Sequence, residues 1–138
     1  MKRLAVLMLV AGSLVASSPE VKWETSLEAA QARARAENKV IFMDVWTGWC
    51  GWCIKLQKET FPSKEAQAAL AQVVPLRIMT QEANGKPTKD NYFEKKYQVE
   101  GYPTLLILDA SGKEIARNPG YLPPQPFASW VGTYSRRH

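Results

Sequence analysis

The sequence contains very few cysteine and histidine residues. Among its 138 residues there are two cysteines and one histidine, which is His138 at the end of the chain. A structural zinc site needs four ligands, so a metal site within the chain is disfavoured. A small exported domain that depends on disulfide bonds would carry more cysteines, spread along its length. Cys50 and Cys53 therefore need an explanation other than metal binding or a disulfide framework.

Long apolar runs are also missing, with one exception at the N-terminus. Lys2 and Arg3 precede an apolar run from Leu4 to Val15, and small residues follow at positions 16–18. The run is roughly 12 residues long, whereas a membrane-spanning helix needs about 20. This pattern predicts a secretory signal peptide over residues 1–18, with an uncleaved anchor as the alternative. No cysteine lies near the cleavage region, which excludes a lipid anchor at that position.

The remaining residues, 19–138, have the size and composition of one soluble domain. Apolar residues make up 46% of the chain and charged residues 22%, so a disordered or fibrous protein is excluded. The formal net charge is +5, but the basic residues do not form a contiguous stretch. Nucleic acid is therefore not an expected partner.

The hydrophobic pattern predicts alternating strands and helices. The predicted strands are 21–23, 40–45, 73–79, 104–108 and 113–116. The predicted helices are 25–38, 50–60, 63–71, 91–98 and 127–134. Thr25 and Glu28 are predicted to cap the first helix as a capping box, and Ser63 and Asp90 to cap later ones. This order predicts an α/β fold with helices on both faces of a mixed sheet. The sheet is expected to contain parallel strands plus a C-terminal antiparallel hairpin.

The segment Trp49-Cys50-Gly51-Trp52-Cys53 follows a predicted buried strand and begins a predicted helix. This spacing allows two sulfur atoms on the first helical turn to form a disulfide bond. Unpaired backbone N–H groups and the positive helix end favour a thiolate at Cys50, and the thiolate is the form that attacks disulfides. Cys53, one turn further along, is expected to be more buried and to act as the resolving thiol. Gly51 is expected to permit a tight backbone between the sulfur atoms.

Two other interpretations of the cysteine pair fit the sequence less well. A haem attachment motif requires histidine after the second cysteine, and here Ile54 occupies that position. An inert structural disulfide remains an alternative, but a bridge over three residues removes little chain entropy. Dithiol–disulfide exchange is therefore the favoured chemistry.

Two segments resemble the signatures of the thioredoxin superfamily. The first runs from Ile41 to Leu56, and the second is Gly101-Tyr102-Pro103-Thr104. The resemblance covers essentially all of residues 19–138 and implies a thioredoxin fold. The run WCGWCIKLQKETF, residues 49–61, is most similar to exported thioredoxin-like domains, such as the C-terminal domain of DsbD-type periplasmic reductases.

The resemblance assigns a role to three residues of the reaction centre. Cys50 matches the attacking cysteine of the family, Cys53 the resolving cysteine, and Asp44 the buried acid beneath the disulfide. A carboxylate within an apolar strand is costly to charge, so its pKa is expected to rise toward neutrality. Asp44 would then suit the role of proton acceptor for Cys53. The alternative is that Asp44 is only a hydrogen-bonded acid at a strand end.

The resemblance also implies a substrate-binding edge. Pro103 matches the family's cis-proline, and the backbone of Tyr102 would pair with the substrate chain by strand addition. Trp46 matches an aromatic residue packed below the site, and Trp49 one that lines it. Trp52 replaces the proline that the family commonly has between its cysteines. With Gly51 it would form an apolar docking surface, unless Trp52 is a partly buried packing residue.

Together these features predict an exported, periplasmic thiol–disulfide oxidoreductase that reduces protein disulfides. Neither residue between the cysteines is charged, and Lys55 is the nearest cation, so a reducing or intermediate potential is expected. No nucleotide or flavin motif is present, so no cofactor is expected, and the family implies a membrane-embedded electron donor. The alternatives are an oxidase or isomerase of the same fold, or a thioredoxin-fold binding or chaperone module.

Overall fold

The computed structural model describes residues 8–13 and 20–136. In these two segments no helix is long and apolar enough to cross a membrane. The predicted signal peptide lies largely outside the described residues, as does His138, so the signal peptide stays a prediction.

Five α-helices, one π-helical turn and four strands make up residues 27–135. The helices are α1 (Leu27–Glu37), α2 (Gly51–Lys55), α3 (Lys64–Leu70), α4 (Phe93–Lys96) and α5 (Pro124–Ser135), and the π-helical turn, Leu56–Thr60, directly follows α2. The strands are β1 (Ile41–Thr47), β2 (Val74–Gln81), β3 (Thr104–Leu108) and β4 (Glu114–Pro119).

The four strands form one mixed sheet in the order β2-β1-β3-β4. Strands β1 and β2 are parallel, whereas β3 is antiparallel to both β1 and β4. The predicted α/β fold and the C-terminal hairpin are therefore confirmed. The direction of β3 relative to β1 is not what simple alternation of strands and helices predicts. The loop after β2 and the short α4 bring the chain back into the sheet at the end where β2 finishes, since Gln81 lies opposite Thr47 and Thr104 opposite Val45, so β3 runs antiparallel to β1.

The predicted strand at residues 21–23 does not form. Only a single parallel bridge, between Glu24 and Leu76, connects this segment to the sheet. Trp23 packs instead against the rings of Phe42 and Phe61, at centroid distances of 6.1 and 4.9 Å. The apolar side chains of this segment thus cover one face of the sheet rather than extending its edge.

The helix boundaries differ from the predicted ones at two caps. Ser26, not Thr25, caps α1, because its hydroxyl accepts a hydrogen bond from the Ala29 N–H at 3.2 Å. Helix α4 is shorter than predicted, and the Asp90 carboxylate does not cap it, since a turn precedes the helix. The predicted Ser63 cap is confirmed by a 3.2 Å hydrogen bond from the Ala66 N–H.

The central strand β1 separates two hydrophobic clusters. Ile41, Met43 and Val45 face the cluster that includes residues of α1 and α4. Phe42 faces the other cluster, which includes Leu56 and residues of α3 and α5. Successive side chains of a strand alternate between faces. Asp44 therefore shares the face of Phe42, the face that the π-helical turn after Cys53 covers.

Candidate active site

Cys50 and Cys53 form a disulfide bond at the start of α2, with their Cα atoms 5.2 Å apart. Cys50 is the N-cap residue, and its sulfur accepts a hydrogen bond from the Cys53 N–H at 3.1 Å. The Cys50 residue is 5% exposed and Cys53 is fully buried. Cys53 is therefore the more buried of the two residues, as expected.

Asp44 is fully buried in the middle of β1, so it is not an acid at a strand end. Its partner is Arg77, which lies directly opposite on β2. The Arg77 Nε lies 3.4 Å from the Asp44 Oδ2, while the buried Oδ1 has no hydrogen-bond partner among the residues that the structure describes. Burial raises the pKa of Asp44 to about 6, although the positive charge and hydrogen bond of Arg77 act in the lowering direction.

The Arg77 guanidinium also stacks on aromatic rings. Its central carbon lies 4.4 Å from the centroid of Trp46 and 5.7 Å from that of Trp23. Trp46 thus contributes to the site through Arg77, which its ring holds beside the Asp44 carboxyl. A cation placed over two rings keeps its charge while losing part of its hydration.

The loop between β1 and Cys50 packs closely on the end of β2. The Gly48 N–H donates to the Gln81 carbonyl at 2.9 Å. A Cβ at Gly48 would lie 2.6 Å from the Ala83 backbone nitrogen, so glycine is required by close approach of the two backbones. This contact fixes the position of Trp49, whose indole Nε1 donates to the Gln81 Oε1 at 2.9 Å.

Trp49 and Trp52 are both exposed beside the disulfide, at 50% and 58%. Trp52 lies 5.5 Å from the ring of Tyr121, and the Lys55 ammonium lies within 5.3 Å of both ring centroids. Trp52 therefore has the exposure that the docking interpretation needs. The expectation that glycine at position 51 is needed for a tight backbone is wrong. The φ of Gly51 is not positive, and a Cβ there would meet no atom of the described residues within 4 Å.

The Tyr102–Pro103 peptide bond is cis, as the resemblance implies. The ring of Tyr102 meets that of Trp49 edge to face, at a centroid distance of 5.8 Å. The residues preceding Cys50 and Pro103 are thus brought together across some fifty positions of sequence. This contact marks one edge of the disulfide region.

Sequence reasoning missed three polar residues around this site. Arg77 is the one charged residue in the apolar segment 73–79. Asp44 is likewise the one charged residue of the predicted strand 40–45, so two opposite charges in two buried strands could have indicated an ion pair. Gln81 contacts Trp49, and Glu94 contacts both Gln81 and Tyr102. Both Gln81 and Glu94 lie in polar segments that carry no such signal. Among residues 8–13 and 20–136, no group of three or more His, Cys, Asp or Glu side chains is arranged to hold a metal ion.

Comparison with known proteins agrees with this arrangement. The sequence matches the profile of the thioredoxin-like domain over residues 27–135. It is 30% identical over 125 residues to the thiol:disulfide interchange protein DsbD of Pseudoalteromonas atlantica, covering 87% of this chain and 21% of that protein. It is 26% identical over 106 residues to the disulfide bond reductase DsbH of Chlamydia pneumoniae, covering 73% of this chain and 64% of that protein.

A solved structure shows the same fold. The oxidised C-terminal domain of Neisseria meningitidis DsbD superposes with a TM-score of 0.65 at 18% identity, covering 77% of this chain and 90% of that domain. The chain spans about a fifth of the length of the DsbD relatives it matches. The resemblance inferred from the two sequence signatures is confirmed, and the chain belongs to the thioredoxin-like domain family.

Proposed function

We propose that this protein is an exported thiol–disulfide oxidoreductase that reduces disulfide bonds in other proteins. The observation that carries the proposal is the Cys50–Cys53 disulfide at the start of a helix, with Cys53 fully buried and the cis-proline loop in contact with Trp49. An inert disulfide would not need a helix-capping position beside two exposed tryptophans. The similarity to DsbD and DsbH supports the same chemistry.

The proposed reaction starts from the dithiol form. The Cys50 thiolate attacks one sulfur of the substrate disulfide, which breaks that bond and forms a mixed disulfide. Asp44 accepts the proton of Cys53, directly or through water, and a pKa of about 6 suits a proton acceptor near neutral pH. The Cys53 thiolate then attacks the Cys50 sulfur and breaks the mixed disulfide. The two substrate thiolates released in the two steps take up protons, one from the protonated Asp44 and one from solvent, and the substrate leaves as a dithiol. Two electrons pass to the substrate, and the protein is left with the disulfide seen in this structure.

Another turnover requires an external dithiol to reduce the Cys50–Cys53 bond. The apolar N-terminal run supports export, and the similarity to DsbD supports a membrane-embedded donor in the periplasm as the source of these electrons. The direction of electron flow follows from the reduction potential of the Cys50–Cys53 pair. The reference potentials run from about −270 mV for thioredoxin to about −120 mV for DsbA. With uncharged Gly51 and Trp52 between the cysteines, we expect a value below about −150 mV, and a higher value would favour the oxidase alternative.

Trapping tests the reaction itself. Cys53→Ala removes the resolving thiol, so mixed disulfides through Cys50 should accumulate in the exported fraction of cells, and mass spectrometry would identify the trapped partners. Cys50→Ser is the matched control and should trap none. Equal trapping by both variants, or a Cys50→Ser variant that retains its activity in the cell, would favour the binding-module alternative.

A further inference from the structure

Four side chains beside the disulfide form a closed ring of contacts that involves four separate segments of the chain. Trp49 precedes Cys50, Gln81 ends β2, Glu94 lies in α4 and Tyr102 precedes the cis-proline. The Trp49 indole donates to the Gln81 Oε1, and the Gln81 Nε2 donates to the Glu94 Oε1 at 2.8 Å. The Tyr102 hydroxyl donates to the same Glu94 oxygen at 2.5 Å. The edge-to-face contact between Tyr102 and Trp49 closes the ring.

Glu94 is the acceptor on which this ring depends. Gln81 presents its amide N–H and Tyr102 its O–H, so the group between them must accept two hydrogen bonds at once. A carboxylate does this best, because hydrogen bonds to an ionised acceptor are the stronger ones. Burial acts to raise the pKa of Glu94, but the hydrogen bonds from Tyr102, Gln81 and Thr80 together hold that pKa below its ordinary value. Burial and the bond to Glu94 raise the pKa of Tyr102 to about 12, so its hydroxyl keeps its proton.

We propose that Glu94 is a positioning residue, which holds Trp49 and Tyr102 in the arrangement that receives a protein substrate beside Cys50. This inference rests on the proposed function, because it takes the segments before Cys50 and Pro103 as the substrate-binding edge. Glu94 acts through Gln81 on one side and Tyr102 on the other. Loss of the carboxylate leaves both of these polar side chains without their acceptor.

The effect should appear in the binding of large substrates. A protein disulfide must lie along the edge that Trp49 and Tyr102 form, whereas a small disulfide reagent needs only access to Cys50. Glu94→Ala should therefore lower kcat/KM for reduction of a protein disulfide such as insulin by about fivefold to twentyfold, mostly through KM. The rate with the small reagent should stay within about twofold. Glu94→Gln keeps one accepting oxygen and should recover part of the loss.

Glu82→Ala is the matched control. Glu82 is an exposed acid next to Gln81, and its side chain is outside the ring, so its loss changes the local charge without removing a ring contact. It should leave both rates unchanged. The indole N–H resonance of Trp49 in a ¹H–¹⁵N spectrum should move in Glu94→Ala and keep its position in Glu82→Ala.

The possible outcomes separate this inference from the proposed function. If the unaltered protein reduces neither substrate, the proposed function fails. If it reduces both, and Glu94→Ala matches it or loses activity equally toward both substrates, the positioning role is overturned. Should Glu94→Ala not fold, Tyr102→Phe tests the same link by removing one hydroxyl. An unmoved Trp49 resonance and an unchanged KM in that variant would equally overturn the role.

Discussion

Asp44 and Arg77 lie opposite each other on the two parallel strands at the centre of the sheet, joined by one contact of 3.4 Å between the Asp44 Oδ2 and the Arg77 Nε. The pairing is incomplete, since within residues 8–13 and 20–136 the buried Asp44 Oδ1 and Arg77 Nη2 have no hydrogen-bond partners. When polar atoms of a buried ion pair lack hydrogen bonds, the attraction between the charges does not offset the free energy lost on removing them from water. Asp44 is therefore a buried acid with a raised pKa, which gains and loses its proton near neutral pH.

The first prediction concerns stability and pH. The folded protein holds the Asp44 proton more tightly than the unfolded chain, because its pKa rises from an ordinary value of 3.8 to about 6 on folding. Stability should therefore fall as the pH rises from about 4 to about 6, and stay at the lower level above that. Asp44→Asn removes this loss. At pH 8 the oxidised variant should be more stable than the unaltered protein by about 3 kcal/mol, at about 1.4 kcal/mol per pKa unit.

Urea unfolding of the disulfide form at pH 4 and pH 8 measures this effect. The gain from Asp44→Asn should shrink to a small fraction of its pH 8 value at pH 4, where the folded carboxyl is protonated and the unfolded one, with an ordinary pKa of 3.8, is close to half protonated. Glu82→Gln, which neutralises an exposed acid, should give no such dependence. An Asp44→Asn variant with the same stability difference at both pH values would contradict the assignment of a raised pKa.

The second prediction concerns Arg77. Its charge and its hydrogen bond both act to lower the pKa of Asp44. Arg77→Met should therefore raise that pKa above 6, and Arg77→Lys, which keeps a positive charge, should raise it less. The ¹³C shift of the Asp44 carboxyl during a pH titration reports this directly.

Arg35→Met is the control for the Arg77 variants, because it removes an exposed arginine in the last turn of α1. It should leave the titration of Asp44 unchanged. If Arg77→Met lowered the pKa of Asp44, water entering the vacated space would outweigh the lost charge, and the proposed tuning by Arg77 would be wrong.

The third prediction compares two glycines that flank Cys50. Gly48→Ala places a Cβ 2.6 Å from the Ala83 backbone nitrogen, so one of the two backbones must move. We expect a loss of about 1–3 kcal/mol in the free energy of unfolding, the usual cost of overpacking. Gly51→Ala meets nothing within 4 Å and lies in the first turn of α2, so it should be neutral or slightly stabilising. Equal effects of the two substitutions in thermal unfolding would contradict this account.

The sequence predicted the parts of the molecule that depend on local pattern. The buried strands around Asp44, the helix start at Cys50 and the Ser63 cap all follow from hydrophobic periodicity and capping chemistry. The shift of the α1 cap from Thr25 to Ser26 is an error of one residue between two hydroxyl side chains. Such errors are expected, because either side chain is chemically able to cap a helix.

The missed features depend on contacts between distant segments. Gln81 and Glu94 look like ordinary surface residues in the sequence, and only the fold places them between Trp49 and Tyr102. The antiparallel direction of β3 likewise depends on how the chain returns after β2. The prediction of a cis bond before Pro103 depended on the family resemblance, because most X–Pro bonds in folded proteins are trans.

The last prediction decides whether Trp52 binds substrates or only packs against Tyr121. Its side chain is 58% exposed and contacts one ring and one ammonium, so Trp52→Ala should cost less than about 1 kcal/mol in stability. If the exposed ring docks substrates, the same variant should raise KM for a protein disulfide several-fold and leave the rate with a small disulfide unchanged. Ile115→Ala, which truncates an exposed apolar side chain on β4, is the control. A large loss of stability with an unchanged KM would instead make Trp52 a packing residue, and docking would then depend on Trp49 and Tyr102.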